Sequence, residues 1–433
     1  MTSMKTRGRR SALAAAGIAA ITALALTACA PPGASEPAPS AGSEGEEGGA
    51  LKVGFISPTT GNFAVAGQEM VDGWNLYWDL NGAEVDGITI ETIVEDDAGN
   101  PETSLTKAKK LVEQDEVDFI VGPLIANTAL AVAAYTASVD VPNLHPVAAS
   151  DDLTQRAAND LTVRTGSMGG SQANYPGGEW AATDGGYDTA VTLCADYAFG
   201  WESCAGFVQG FTQNGGEVVE QIWFPNTTTD FSTYVSQIQA AGADVVYVAT
   251  AGGAPGPNFL NAYLGLGLDM DDLLLNCCAA DQGTLRTMGD QIVGLKSVSY
   301  WAEGRDSEAV AEFVDAYKEF ADGKVPGAYV AGGYMTASLV ASVLAERGLV
   351  TGEDLVSAIT EYTFEDSIFG RVSWDDYNQM VGPVYVREVT EGDDGNFYNT
   401  PIATFEDVDQ WLGRSPEDAL AQPTYSQSFQ GLE

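Results

Sequence analysis

Val117 to Ser150 reads VDFIVGPLIANTALAVAAYTASVDVPNLHPVAAS. Val117 to Val121 form a short apolar run stopped by Gly122-Pro123, and Leu124 to Ser138 carry a helical apolar pattern behind Asn127-Thr128. Val141 to Leu144 then give a second short strand ending in His145-Pro146. The pattern predicts a βαβ unit. In open parallel sheets ligands sit beyond the carboxyl ends of the strands, where loops enter helices and backbone N–H groups are free. Small or polar residues stand at both strand ends here, so the unit is expected to form one wall of a small-molecule cleft.

Outward from this stretch the alternation continues. Upstream, Leu51 to Ile56 is a strand, Ala66 to Leu80 an amphipathic helix, Ile88 to Glu95 a strand and Glu102 to Gln114 a helix. After a pause at Thr162 to Thr165, a short strand, and a helix-like segment of many small residues from about Gly169 to Asp184, strands at Thr189 to Ala195, Glu217 to Phe224, Val245 to Thr250, Leu273 to Asn276 and Gly294 to Tyr300 start a second series. Helices return after Trp301, and Val384 to Val389 is a late strand. The fold class is therefore α/β, with two doubly wound parallel-sheet lobes joined by a multi-strand hinge. Residues 51–166 and 301–383 are assigned to lobe 1, 167–300 and 384–412 to lobe 2, and 413–433 to a loose tail.

The N-terminus gives an address. Lys5, Arg7, Arg9 and Arg10 precede an apolar stretch from Ser11 to Leu26, too short for a comfortable membrane span. Leu26-Thr27-Ala28-Cys29 resembles the bacterial lipobox, which makes residues 1–28 a lipoprotein signal peptide and Cys29 the lipidation site. Each buried acyl CH₂ contributes about 0.8 kcal/mol, so such an anchor holds without a transmembrane helix. Residues 29–50, rich in Pro, Gly, Ser and Glu, cannot bury enough apolar surface to order themselves and read as a disordered tether. No further membrane span is expected, so the folded part would be extracytoplasmic and membrane-bound by lipid alone.

Composition narrows the chemistry. Lys+Arg total 19 against Asp+Glu 61, a formal charge of -42 that repels nucleic acid and anionic lipid. One histidine and no CxxC spacing exclude a His-rich or zinc-finger metal site. GxSxG, GxxxxGK[ST], HExxH and a strand-linked GxGxxG are all missing, so no enzyme activity and no cofactor are expected. In an oxidising compartment Cys194 and Cys204 are candidate disulfide partners, although they and the adjacent Cys277 and Cys278 permit three connectivities.

The order of PTTGNF, EDDAGNP, DFIVGP, VDVPN and DYAFG, followed by FxxxGGEVV in the second series, resembles the branched-chain amino-acid (Leu/Ile/Val) type periplasmic substrate-binding proteins of ABC transporters, in lipoprotein form. The resemblance runs from about Lys52 to Val389. It implies a type I periplasmic binding fold, a monomer that closes over a small ligand and delivers it to the transmembrane permease subunits of an importer. It also implies ligand contacts at Asn62, Phe63, Asn127, Thr128, Ala148, Ala149, Ser150, Phe199, Gly252 and Asp281. In amino-acid-binding members a serine-rich loop helps bind the carboxylate; Ala126, Asn127 and Thr128 occupy it here. A tyrosine of the second lobe becomes Phe199, and Asp281 is the acid placed to receive an ammonium. The expected ligand is a small carboxylate, a branched-chain or other hydrophobic amino acid; the alternatives are the same role for an aromatic acid or amide, and, behind these, a ligand-sensing receptor domain or a hydrolase.

Overall fold

A computed structural model describes residues 49–431; the signal peptide, Cys29 and nearly all of the tether lie outside the described residues. The first half contains β1 (Ala50–Ser57), α1 (Ala64–Asn81), β2 (Glu84–Val85), β3 (Ile88–Asp96), α2 (Pro101–Glu113), β4 (Phe119–Val121), α3 (Ala126–Ala137), β5 (Asn143–His145) and β6 (Thr162–Arg164). Their sheet has the order β2-β3-β1-β4-β5-β6. All neighbours in it are parallel except the short β2 hairpin strand. Strands such as Leu51, Val53 and Phe55, or Phe119, Ile120 and Val121, are completely buried, as continuous apolar runs require when helices cover both faces.

The second series runs α4 (Gly170–Ala182), β7 (Thr189–Ala195), α5 (Ala198–Gln213), β8 (Glu217–Phe224), α6 (Ser232–Ala241), β9 (Val245–Ala249), α7 (Pro255–Gly265), β10 (Leu273–Asn276), α8 (Gln282–Met288) and β11 (Lys296–Ser299). The strands pair in parallel in the order β8-β7-β9-β10-β11, the same winding as in the first sheet. Next come α9 (Glu308–Phe320), α10 (Ala328–Arg347), α11 (Gly352–Glu361), β12 (Phe364–Ser367), β13 (Gly370–Trp374), β14 (Met380–Glu391), β15 (Phe397–Val408) and α12 (Pro416–Ala421). α10 is apolar and long enough to cross a membrane by length and composition, yet 78% of its apolar window is buried, against α1.

The antiparallel strands β12, β13 and β15 were not legible in the sequence. β15 contains Pro401, which cannot donate to a ladder, and it pairs only with β14, as an edge strand can. β14 joins the second sheet through β11, while the Trp374 indole donates to the Arg164 carbonyl at 2.7 Å and Arg164 N–H donates to Asn378 at 3.1 Å. The edge of the first sheet is thus stitched to the hinge strands. One apolar cluster containing Phe207, Trp301, Phe313, Met335 and Phe369 spans this junction.

The segment from Gly413 is ordered rather than loose. Ser415 caps α12, Arg156 donates to the Gln422 carbonyl at 2.7 Å, and Arg414 donates to Gln209 at 2.6 Å. The pattern signals nothing because this segment attaches through hydrogen bonds of the Arg156 and Arg414 side chains to distant partners, and no apolar stripe is needed.

Candidate functional site

The segments lining the cleft follow the carboxyl ends of parallel strands. Phe63 follows β1, Leu124 to Ala126 follow β4, Val147 and Ala149 follow β5, Tyr197 and Phe199 follow β7, Ala251 and Gly252 follow β9, and Cys278 follows β10. Tyr329, in the first turn of α10, completes a chamber of about 60 Å³. A second chamber of about 30 Å³ shares Val147, Ala149, Phe199, Cys278 and Tyr329 with it and reaches Gly169, Asn174, Cys277, Asp281 and Tyr300. Both sheets contribute, so the cleft lies between the lobes.

The walls are apolar, but two helix ends meet there. α3 starts at Ile125 and α5 at Tyr197, each without a side-chain cap. The first N–H groups of a helix have no partner within it and carry the positive end of its dipole, a ready anion site. A third helix, α4, is already served: Asp151 accepts from Ser171 N–H at 3.2 Å, and Gln172 accepts from Gly169 N–H. α1, whose N-cap Phe63 lines the same chamber, is likewise without a side-chain cap, so α3 and α5 are two of the helix starts that offer free N–H groups at the cleft. A disulfide between Cys194 and Cys204, with Cα atoms 6.3 Å apart, ties the end of β7 to α5.

Of the residues expected from sequence, Phe63, Ala149, Phe199, Gly252 and Asp281 line the two chambers. Asn62 and Asn127 are exposed outside the lining. Thr128 is buried and its hydroxyl donates back to the Ile125 carbonyl at 2.7 Å. Ala148 packs with Ala129, Ala133 and Leu153, and the Ser150 carbonyl accepts from Arg164 at 2.5 Å. At a helix start the backbone N–H groups point along the axis while side chains project outward; hence Ile125 and Ala126 reach the cleft and Asn127 does not. Gly252 leaves room for the opposite wall: a Cβ there would stand 2.3 Å from the Tyr329 hydroxyl, which would have to move aside.

Asp281 is committed elsewhere. Its carboxylate accepts from Ala328 N–H at 3.0 Å, capping α10 across the lobes. Nearby, Arg286 of α8 pairs with Glu69 of α1 at 3.1 Å, a second contact between lobes. Burial raises Asp281 above the ordinary carboxylate range and pushes Glu69 up to about 7, the latter aided by Asp281 and opposed by Arg286. Arg164, Asp151 and Glu202, none foreseen from sequence, form a fully buried charged group behind the second chamber. Burial raises Asp151 to about 6 and holds Glu202 well above the ordinary carboxylate range.

These carboxyls set a pH dependence. A carboxyl whose folded pKa is raised binds protons more tightly folded than unfolded, so its contribution is present below the unfolded value and lost as pH rises through the folded one. Stability is expected to fall between about pH 4.5 and 7, read as a lower Tm at pH 7.5 than at pH 5. The carboxylates held low, such as Glu95 by Lys107 and Lys110, act in the opposite sense but below that window, and exposed pairs contribute little. His145, held down to about 3 by burial and by the Arg164 charge, opposes the fall up to about pH 6.5, but it is one group against the raised Glu69, Asp151, Glu202 and Asp281. A Tm rising from pH 5 to pH 7.5 would contradict the burial argument.

A cleft of this construction defines a two-lobed, ligand-enclosing binding protein. The chain belongs to the periplasmic binding protein family, which it matches over residues 50–396. It is 28% identical over 362 residues to Leu/Ile/Val-binding protein homolog 6 of Brucella melitensis, covering 82% of this chain and 92% of the relative. Among solved structures it is similar to a solute binding protein of an ABC transporter from Rhodopseudomonas palustris BisB5 in complex with 3,4-dihydroxybenzoic acid. That likeness has 32% identity and a TM-score of 0.77 over 83% of this chain and 98% of the other. The isoleucine complex of LivJ from Streptococcus pneumoniae shares the fold at 20% identity and a TM-score of 0.70, over 82% of this chain and 99% of that one.

Proposed function

We propose that the chain is the extracytoplasmic solute-binding subunit of an ABC importer and that its ligand is a small aromatic carboxylate. The observation that carries the ligand class is the pairing of two uncapped helix starts, α3 and α5, with an apolar wall of Phe63, Val147, Phe199 and Tyr329. The helix ends suit a carboxylate and the wall suits a ring. An amino acid would also need a partner for its ammonium. The acidic lining residue, Asp281, already caps α10 and is pushed toward its neutral form. An unpaired buried ammonium is costly. The likeness to the dihydroxybenzoate-bound protein supports the same choice.

Mechanistically, the ligand would bridge the walls and favour closure about the hinge strands, because only the closed form makes both sets of contacts. A benzene-sized guest needs on the order of 150 Å³, so the lobes part to admit it. We take the moving bodies to be residues 51–166 with 301–383 and 167–300 with 384–412. Delivery would pass to a transmembrane permease, with the monomeric chain held at the membrane through lipidated Cys29. Cys29→Ala is expected to release it from membrane fractions; continued sedimentation with membranes would contradict the anchor.

Asp281→Asn separates the ligand classes. With an aromatic carboxylate the affinity is expected to change by less than about threefold, since the amide still accepts from Ala328 and no ammonium is involved. Appreciable binding of leucine or isoleucine by the parent chain, lost in Asp281→Asn, would instead restore the branched-chain amino-acid reading.

A further inference from the structure

Cys277 and Cys278 are both free, and their sulfur atoms lie 3.3 Å apart in the turn that closes the second lobe's wall. Cys278, partly exposed, lines both chambers and the buried Cys277 the second, so a small disulfide reaches the pair when the lobes part. The turn is anchored at each end. The Asn276 side chain accepts from Ala279 N–H at 3.0 Å and donates to the Thr250 carbonyl at 3.1 Å, while Asp281 caps α10. A change at the two sulfurs therefore acts on the cleft wall within a fixed frame. Arg387, buried beside this turn, leaves its Nη2 without a hydrogen-bond partner. The Cys278 hydrogen bond, then the Arg387 charge, draws the Cys277 thiol below its usual range against the effect of burial. A thiolate is the form that attacks disulfides.

We propose that Cys277 and Cys278 form a modifiable dithiol in the ligand wall, which a low-molecular-weight disulfide oxidises to a vicinal disulfide that weakens ligand binding. The Cys277 thiolate attacks one sulfur of the small disulfide, forming a mixed disulfide and releasing one small thiolate. Cys278, giving up its proton, then attacks the Cys277 sulfur, closing the internal bond and releasing the second. Two protein thiols are oxidised and one external disulfide is reduced to two thiols. Adjacent Cα atoms sit closer than most disulfides tolerate, so the bond is reversible by ordinary reductants. Closure removes the thiol that adjoins the Tyr329 hydroxyl, one of the contacts between the walls.

The pairing of the sulfurs stands on geometry alone; the effect on affinity rests on the cleft being the aromatic-carboxylate site. The test incubates the full chain with oxidised glutathione, alkylates with iodoacetamide and maps the peptides by mass. The expected result is a Cys277–Cys278 peptide lighter by two hydrogens and free of alkylation, which takes two alkyl groups after a phosphine reductant. Full alkylation of both thiols after the oxidant, or glutathione retained on either, overturns the internal closure. Cys278→Ser is expected to hold one glutathione at Cys277; free alkylation there overturns Cys277 as the attacking thiol. Titration with 4-hydroxybenzoate is expected to show oxidised protein binding about threefold to tenfold more weakly than reduced, the range of one lost hydrogen bond. Equal affinities overturn the wall effect. Absence of binding by the reduced protein would instead count against the aromatic-carboxylate reading and leave the peptide result standing.

Discussion

Arg164→Met is expected to destabilise the fold by about 3 to 5 kcal/mol, the range for removing one member of a buried charged network. The guanidinium is fully buried and makes contacts that no apolar side chain can replace. Its Nε donates to Gln379 at 2.7 Å, its Nη2 to the Ser150 carbonyl at 2.5 Å, and its Nη1 to the Ala148 carbonyl. It thus fixes the strand-end loop that presents Val147 and Ala149 to the cleft and ties it to the hinge residue Gln379. Without it, two carbonyls lose a donor, and Asp151 and Glu202 lose the cation beside them. Urea unfolding measures the loss as a lower midpoint at unchanged slope. Arg164→Lys keeps the charge but not the planar fork and should recover only part of it. A loss below about 1 kcal/mol for Arg164→Met would remove this residue from the framework of the site.

Gly178→Ala is the second large effect expected, about 2 to 3 kcal/mol of destabilisation from overpacking. In an exposed helix the same change would stabilise, because glycine is the poorer helix former. Here α4 lies against α5 so closely that a Cβ at position 178 would stand 2.1 Å from the Phe207 carbonyl oxygen and 2.6 Å from Phe211 N. Backbone atoms cannot rotate away, so the helices must separate and the cluster around Phe207 and Trp180 opens with them. The sign of the change decides the matter: a higher unfolding midpoint would mean that the helices do not pack as described.

The alternation of apolar runs and helical patterns carried the parallel strands of both lobes, because a strand buried on both faces must be apolar throughout and short. The helix at Gly170–Ala182 was visible only as a small-residue segment, since what its glycines specify is contact with α5. The antiparallel strands β12, β13 and β15 were hidden: they are half exposed, and Pro401 argues against a strand unless the strand is known to be an edge. For the site, Phe63, Phe199 and Gly252 come from the resemblance to the family, whose contact loops fall after these strands. Asn127 and Thr128 resemble ligand donors because they are polar side chains at a helix start, but Asn127 is exposed and the Thr128 hydroxyl is spent on the Ile125 carbonyl. Arg164, Asp151 and Glu202 carried no signal at all, since nothing local marks a charged residue whose partners come from distant segments.

On the proposed function, this cleft takes a carboxylate on an apolar ring and has no place for an ammonium. Isothermal titration calorimetry of the chain with benzoate, 4-hydroxybenzoate, 3,4-dihydroxybenzoate, leucine and isoleucine tests it most directly. Saturable binding of at least one aromatic acid is expected, with no heat from either amino acid; a ligand at 100 times its Kd should also stabilise the fold by about 2.7 kcal/mol. Saturable binding of leucine or isoleucine with no response to any aromatic acid would contradict it.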